Sequence, residues 1–583
     1  MTTAALVQCP FLPPTGLLTS MHHPDVPLDW KEIFASPAIS GDDDPYGIPI
    51  TLGLITKCIS RVHGDALYQV FKDRPTLHPT IPALDLLPIN KTKFYQLGSI
   101  DRDEGTIVGG AGVHVDAIAQ MGLKHPTPDD MATYLEDHGE PLQNDFPEGV
   151  VRQWLFHGDQ LTAKLIRTIK REQKEALLPF DRRDWILGIP AWFHVQMNLS
   201  NLLIRSHLGP PQSTKQYTAH CLTADLQYLG KTVPARDSPK YHIMEPAMTQ
   251  SFTARVLLLF YTALEDQHLL PDTAKTSVFW ENPAAVGRTI AALTPDQFLE
   301  LVEQVRQTAF TLKAYEGHNQ PDPEFTTMCR MLQQIELFET VHHAVKQGDI
   351  GLLRRLVDPL IIFFWGSGQT NYGQEMIHLR WLLSDNVCDE VLQHSILASS
   401  IVNWHGQRDT HKAIDLGLEH LNGSAKIEMK CYKNSTHDED IIFNRVCLTN
   451  TYIRQLRTVF EGYFGEFMSG SHTTANASRD IFAITRKLAT ANLGRPRALE
   501  DIGDPSRYYQ PADYITLGAS EVEAKVMEFN AGLDIIRDDT SLAEQRAQEP
   551  VLDPVLINES RDSVDNPAVA FEDNDPVGIL PEL

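Results

Sequence analysis

Paired cysteines, long apolar runs and basic side chains are what this 583-residue chain has least of. The seven cysteines (Cys9, Cys58, Cys221, Cys329, Cys388, Cys431, Cys447) are odd in number, scattered and never spaced as CxxC. That excludes a disulfide framework and a thiolate zinc cluster, and points to a reducing compartment. The longest apolar runs, Val256–Ala263 and Leu360–Trp365, fall far short of the roughly 20 residues that cross a bilayer. The first residues carry no basic region and reach Pro10 and Pro13-Pro14 quickly, unlike a secretory signal. An intracellular protein is expected. Lys and Arg number 50 against 76 Asp and Glu, a formal net charge of −26. A field of that sign does not hold nucleic acid by bulk attraction; such binding needs a local basic surface or bound cations.

What is there is ordinary globular material: 42% hydrophobic and 22% charged residues, enough to bury a sizeable core. Residues 1–90 are rich in Pro, Gly and Asp and look irregular, apart from a helical stretch at Ile55–Phe71. Residues 91–240 alternate strand-like and helix-like patterns. Val150–Phe156 is a strand candidate, Leu161, Leu165, Ile166 and Ile169 recur at helical spacing, and Trp185–Met197 reads as a second buried strand. Strand, turn and helix in that order suggest an α/β core. Residues 241–360 are helical throughout (Phe252–Gln267, Pro295–Leu312, Glu324–Gln347), and 361–535 mainly so, with helices at Gln374–Leu383, His411–Asn422 and Asp440–Phe467. Residues 536–583 hold twelve acidic and three basic residues and predict a disordered acidic tail. No repeat of fixed period is visible.

Four constellations could carry chemistry. His157-Gly158-Asp159-Gln160-Leu161-Thr162 places a carboxylate at a strand's C-terminal end just before a helix, where α/β sheets collect ligands. Asp159 would equally serve as a plain helix cap. Trp192-Phe193-His194 sets an imidazole among large apolar residues; His194 is either a core histidine or, if the two strands pair in parallel, a neighbour of Asp159. In His411–Lys426, Asp415 and Glu419 share a helix face with Asn422 one turn on. Two like charges there repel mildly, and a hard divalent cation would offset the repulsion; the alternative is a solvated face. The glycine-rich turn Gly366–Gly373 opens a helix bearing Glu375, a rival to Glu419 for any metal role, and its spacing fits neither a P-loop nor a dinucleotide fingerprint. Asp101, Asp103 and Glu104 depart from a calcium loop, and His342-His343 face different directions on a helix.

The GDQLT block, the FHxxM block at 193–197, the helical stretch, the glycine-rich block and DLGLEHLN, in this order, resemble a fungal family known as domain of unknown function 6589. The resemblance spans residues 1 to about 535. The family looks derived from cut-and-paste DNA transposases, which implies a ribonuclease-H-like α/β core with a large all-helical insertion and Mg²⁺ or Mn²⁺ as cofactor. Carried over, Asp159 is a core carboxylate and Glu419 or Glu375 the helix-borne one. Asp415 is a further metal ligand, His194 is catalytic, and Gln160 and Asn422 position substrate. Two departures matter. Relatives carry an Asp-bearing strand upstream of the segment matching Thr2–Val7, and an Arg where Ser367-Gly368-Gln369 stands here. The expectation is a truncated, inactive relative of a divalent-metal nuclease. DNA as partner and nuclear placement rest on the resemblance alone. The alternative is a non-catalytic scaffold that uses its helical insertion for protein contacts.

Overall fold

The structure is a computed structural model, described for residues 5–8, 27–35, 47–89, 93–96, 154–172, 186–210, 218–233, 241–270, 283–311, 313–314, 322–403, 406–417, 419, 459, 463 and 477–537. Among them helix dominates, and strands occur only as three two-stranded sheets. β1 (Ala5–Gln8) pairs antiparallel with β2 (Lys93–Gln96). Between them run α1 (Trp30–Ala35) and α2 (Ile48–Phe71). The stretch expected from Ile55 therefore starts a full two turns earlier, at Ile48.

The α/β expectation is met locally. β3 (Trp154–Gly158), α3 (Gln160–Glu172) and β4 (Ile186–Pro190) form one crossover, with Trp154 opposite Ile186 and Gly158 opposite Pro190 in parallel register. Gly188 admits α3 closely: a Cβ there would stand 3.3 Å from the Ala163 Cα. The buried run Trp185–Met197 proves to be two elements. Pro190 lacks the N–H to extend a ladder, Ala191 turns the chain, and Trp192 opens α4 (Trp192–His207). A short apolar run does not distinguish strand from buried helix by periodicity.

The remainder is helical: α5 (Leu222–Tyr228), α6 (Tyr241–Asp266), α7 (Pro283–Ala291), α8 (Pro295–Ala309), α9 (Pro323–Gln347), α10 (Ile350–Gly366), α11 (Thr370–Leu382) and α12 (Glu390–Ala398). A hairpin of β5 (Ile401–Val402) and β6 (Lys412–Ala413) follows, then α13 (Ser478–Thr490), α14 (Leu499–Ile502) and α15 (Tyr514–Arg537). His411–Asn422 thus begins as strand; residues 414–417 and Glu419 are helical, while Asn422, Asp101, Asp103, Glu104 and the acidic tail beyond 537 lie outside the described residues.

One hydrophobic core runs from Leu28 to Val526. The apolar run in α6 is buried all round, from Phe252 to Leu264, as expected of a helix apolar on every face that lies inside a core. α2 packs on α6, α7 and α8, so the N-terminal helix and the helical stretch share that core. Polar ties fasten the C-terminal helices to it. Asp225 accepts from Arg255 and Lys487, each at 2.7 Å, and Asp322, the cap of α9, accepts from Arg497 at 2.8 Å. No helix among the described residues is long and apolar enough to cross a membrane.

α10 crosses α15 with backbone against backbone. A Cβ on Gly366 would run into the Tyr514 carbonyl and stand 2.6 Å from the Gly518 nitrogen; one on Gly518 would run into the Ile362 carbonyl. Backbone meets backbone there, so no rotamer relieves the clash. Gly518→Val is expected to cost about 3 kcal/mol or more, the upper end of overpacking. A lowered thermal unfolding midpoint checks this, and a wild-type midpoint would show that the helices part freely.

Candidate functional site

The carboxyl end of the β3–β4 pair gathers the polar groups singled out in the sequence. Gly158 ends β3 where a Cβ would press on the Thr162 methyl at 2.7 Å, so the glycine lets α3 start at once. Asp159 is exposed, and its Oδ1 accepts the Thr162 N–H at 2.8 Å, the geometry of a helix cap. Gln160 is the first residue of α3 and half-buried.

Across the pair, α4 begins without a cap of its own, since the Ala191 side chain accepts nothing. The missing acceptor arrives from far along the chain. Asp415, buried just after β6, accepts the Phe193 N–H on Oδ1 and the His194 N–H on Oδ2, each at 3.0 Å. The same Oδ2 accepts the His194 Nδ1–H at 2.8 Å. A carboxylate at a helix N-terminus is favoured by the unsatisfied N–H groups and the dipole together. Burial lowers the His194 pKa, but the Asp415 bond and charge, and the charges of Asp159 and Glu419, outweigh it and raise it above the ordinary value. Asp159, His194, Asp415 and Glu419 are therefore brought together, with His194 reached from the first turn of a helix rather than from a strand.

Glu375, in α11, lies at the edge of this group. Its two oxygens are forked by the Arg167 guanidinium of α3, with one bond at 2.8 Å. Burial still pushes its carboxyl up, Arg167 opposing and the Asp159 charge adding. Tyr372, one turn earlier, has its phenol raised by burial and by Asp159, Asp415 and Glu375. His157 donates from Nε2 to Ser399 Oγ at 2.7 Å, while Ser399 donates to the Ser395 carbonyl at 2.6 Å. Arg167, Tyr372 and Ser399 carried no sequence signal, because each is defined only by a partner far away in the chain. Among the described residues, no group of three His, Cys, Asp or Glu is arranged to hold a metal ion.

Among the described residues, these features define a helix-rich fold with one parallel strand pair whose carboxyl end carries an acid–imidazole cluster. The model of the DUF6589 family, a family of unknown function, matches residues 54–472, and the chain belongs to that family. No curated protein and no solved structure matches it. The core continues beyond the matched residues, through α13 and α15.

Asp415→Ala removes three charge-assisted acceptor contacts at once and is expected to cost about 2–3 kcal/mol; unchanged unfolding in denaturant would contradict this. The histidines also set a pH dependence. Burial holds His157 down at about 4, as it does His63, His207, His342 and His343. Each is neutral in the fold and gains a proton on unfolding below about pH 6.5, so stability is lost as pH falls from there toward 4. His194 acts oppositely: its contribution is full below the unfolded value and is lost as pH rises through its higher folded value. The five outnumber the one, so the unfolding midpoint is lower at pH 5 than at pH 7. A midpoint that rises on acidification would contradict the burial of these rings.

Proposed function

We propose that the chain is a transposase-derived protein whose strand-end centre has become a clamp between helices and does not cleave DNA. The reading takes β3–α3–β4 as what persists of a ribonuclease-H-like core. The observation that supports it is the state of the Asp415 carboxylate, engaged by two backbone N–H groups and the His194 ring.

Phosphodiester cleavage by two metal ions needs carboxylates whose oxygens face a pair of cations about 4 Å apart. Asp415 is committed to α4, Glu375 to Arg167, and one oxygen of Asp159 to Thr162. This donor set does not fit a two-ion centre. The second oxygen of Asp159 and Glu419 are what remains, sufficient for one Mg²⁺ or Mn²⁺ that keeps most of its water. The net charge of −26 opposes tight hold on DNA by the whole surface.

The test is nicking of supercoiled plasmid by the full chain with Mg²⁺ or Mn²⁺. No conversion above the metal-only control is expected. Metal-dependent nicking that disappears in Asp159→Ala would overturn the reading and restore an active nuclease.

A further inference from the structure

By its charges α3 is the most basic helix among the described residues, in a chain that is otherwise strongly acidic. Its thirteen residues carry Lys164, Arg167, Lys170 and Arg171 against a single acid, Glu172. Spacing of three, four and seven puts Lys164, Arg167, Thr168 and Arg171 on one face. The opposite face, with Ala163 and Ile166 buried, packs on β4, where a Cβ on Gly188 would stand 3.2 Å from the Ile166 Cβ. Arg167 is engaged by Glu375. Lys164 and Arg171 are exposed, and neither forms an ion pair among the described residues. Like charges gathered on one helix face repel, and an opposite charge brought from elsewhere would offset that.

A source of that charge lies in the same chain. Residues 538–583 hold twelve acids and two basic residues, Arg546 and Arg561. They are outside the described residues and follow directly on α15, whose place relative to α3 is fixed. Glu375, held by Arg167, and His378 stand one turn apart on α11, and the His378 ring lies 6.4 Å from that of Phe529 in α15. From Phe529 the helix runs two turns to Arg537, about 12 Å at 1.5 Å per residue. An extended chain covers up to about 3.3 Å per residue, so about fifteen residues past Arg537 suffice to reach any point on α3.

We infer that the acidic segment 538–583 docks on the Lys164–Arg171 face of α3 in its own chain, held there by charge pairing. Exposed ion pairs are individually weak, but a segment with many carboxylates, tethered beside the face, acts at a high effective concentration. Two copies of a chain with net charge −26 repel each other, whereas the tethered segment needs no encounter. The contact occupies the local basic surface that a polyanion would require, so the tail competes with nucleic acid for it. Docking does not depend on whether the strand-end centre cleaves DNA.

The experiment is zero-length carbodiimide coupling of the full chain at low ionic strength, with the joined peptides identified by mass spectrometry. The reagent links a lysine amine only to a carboxylate in contact with it. Coupling of Lys164 to carboxylates within 538–583 is expected, reduced about tenfold by about 0.5 M NaCl and by Arg171→Glu. Lys231, which meets Asp480 at 2.7 Å, reports that the reagent has acted. Unfolding in denaturant confirms that the variant is folded. A mixture of isotope-labelled and unlabelled chains separates a chain's own tail from that of a second copy. No coupling of Lys164 to the tail where Lys231 couples to Asp480, coupling no greater than at the exposed Lys72 and Lys313, or coupling chiefly between labelled and unlabelled chains would each overturn the assignment. So would a Lys164 that stays open until duplex DNA shields it from acetylation, which would give the face to nucleic acid instead.

Discussion

A single carboxylate closes the distance between two parts of the chain that the sequence keeps far apart. Asp415 completes the first turn of α4, fixes the His194 ring through Nδ1, and thereby fastens the β5–β6 hairpin to the carboxyl end of the parallel strand pair. An uncapped helix start at Ala191 would otherwise leave buried N–H groups without acceptors. His157 to Ser399 is a second tie between the same two regions, from the penultimate residue of β3 to the C-terminal cap of α12, two residues before the hairpin. Together they convert what resembles a ligand-collecting strand end into a joint.

That joint sits within a larger helical body whose organisation is set by close packing rather than by a sheet. α6 and α9 pass through the core with buried residues on every face, and α10 meets α15 where Gly366 and Gly518 let the backbones touch. The family match ends at residue 472, yet α13 and α15 contribute Ile481, Leu488, Val522 and Val526 to the same core. The charged ties Asp225–Lys487 and Asp322–Arg497 are buried on the acidic side, so the C-terminal helices are integral to the fold.

The features legible in the sequence were local ones. Periodicity located the long helices, and Gly158-Asp159 before Leu161 marked a strand that ends in a capped helix. The conditional expectation that parallel pairing would bring His194 near Asp159 also described the geometry. What was illegible depends on distance along the chain. Trp185–Met197 looked like one strand because both β4 and α4 are buried, which removes the contrast between periods of two and 3.6. Asp415 reads as a metal-ligand candidate, and its bond to the His194 N–H is illegible because that backbone lies 221 residues away. Glu375 reads as a rival to Glu419, and its pairing with Arg167 is illegible because Arg167 lies 208 residues upstream. A sheet of ribonuclease-H type was an implication of resemblance; what the strand patterns support on their own is the β3–β4 pair.

The account stands on the bond between Asp415 and the His194 ring, and proton titration of that ring followed by NMR tests it most directly. The account predicts that His194 titrates above the ordinary histidine value and returns toward it in Asp415→Asn. A His194 that titrates at or below the ordinary value, indifferent to that substitution, would show that the carboxylate is not held by the imidazole and is left to serve another purpose.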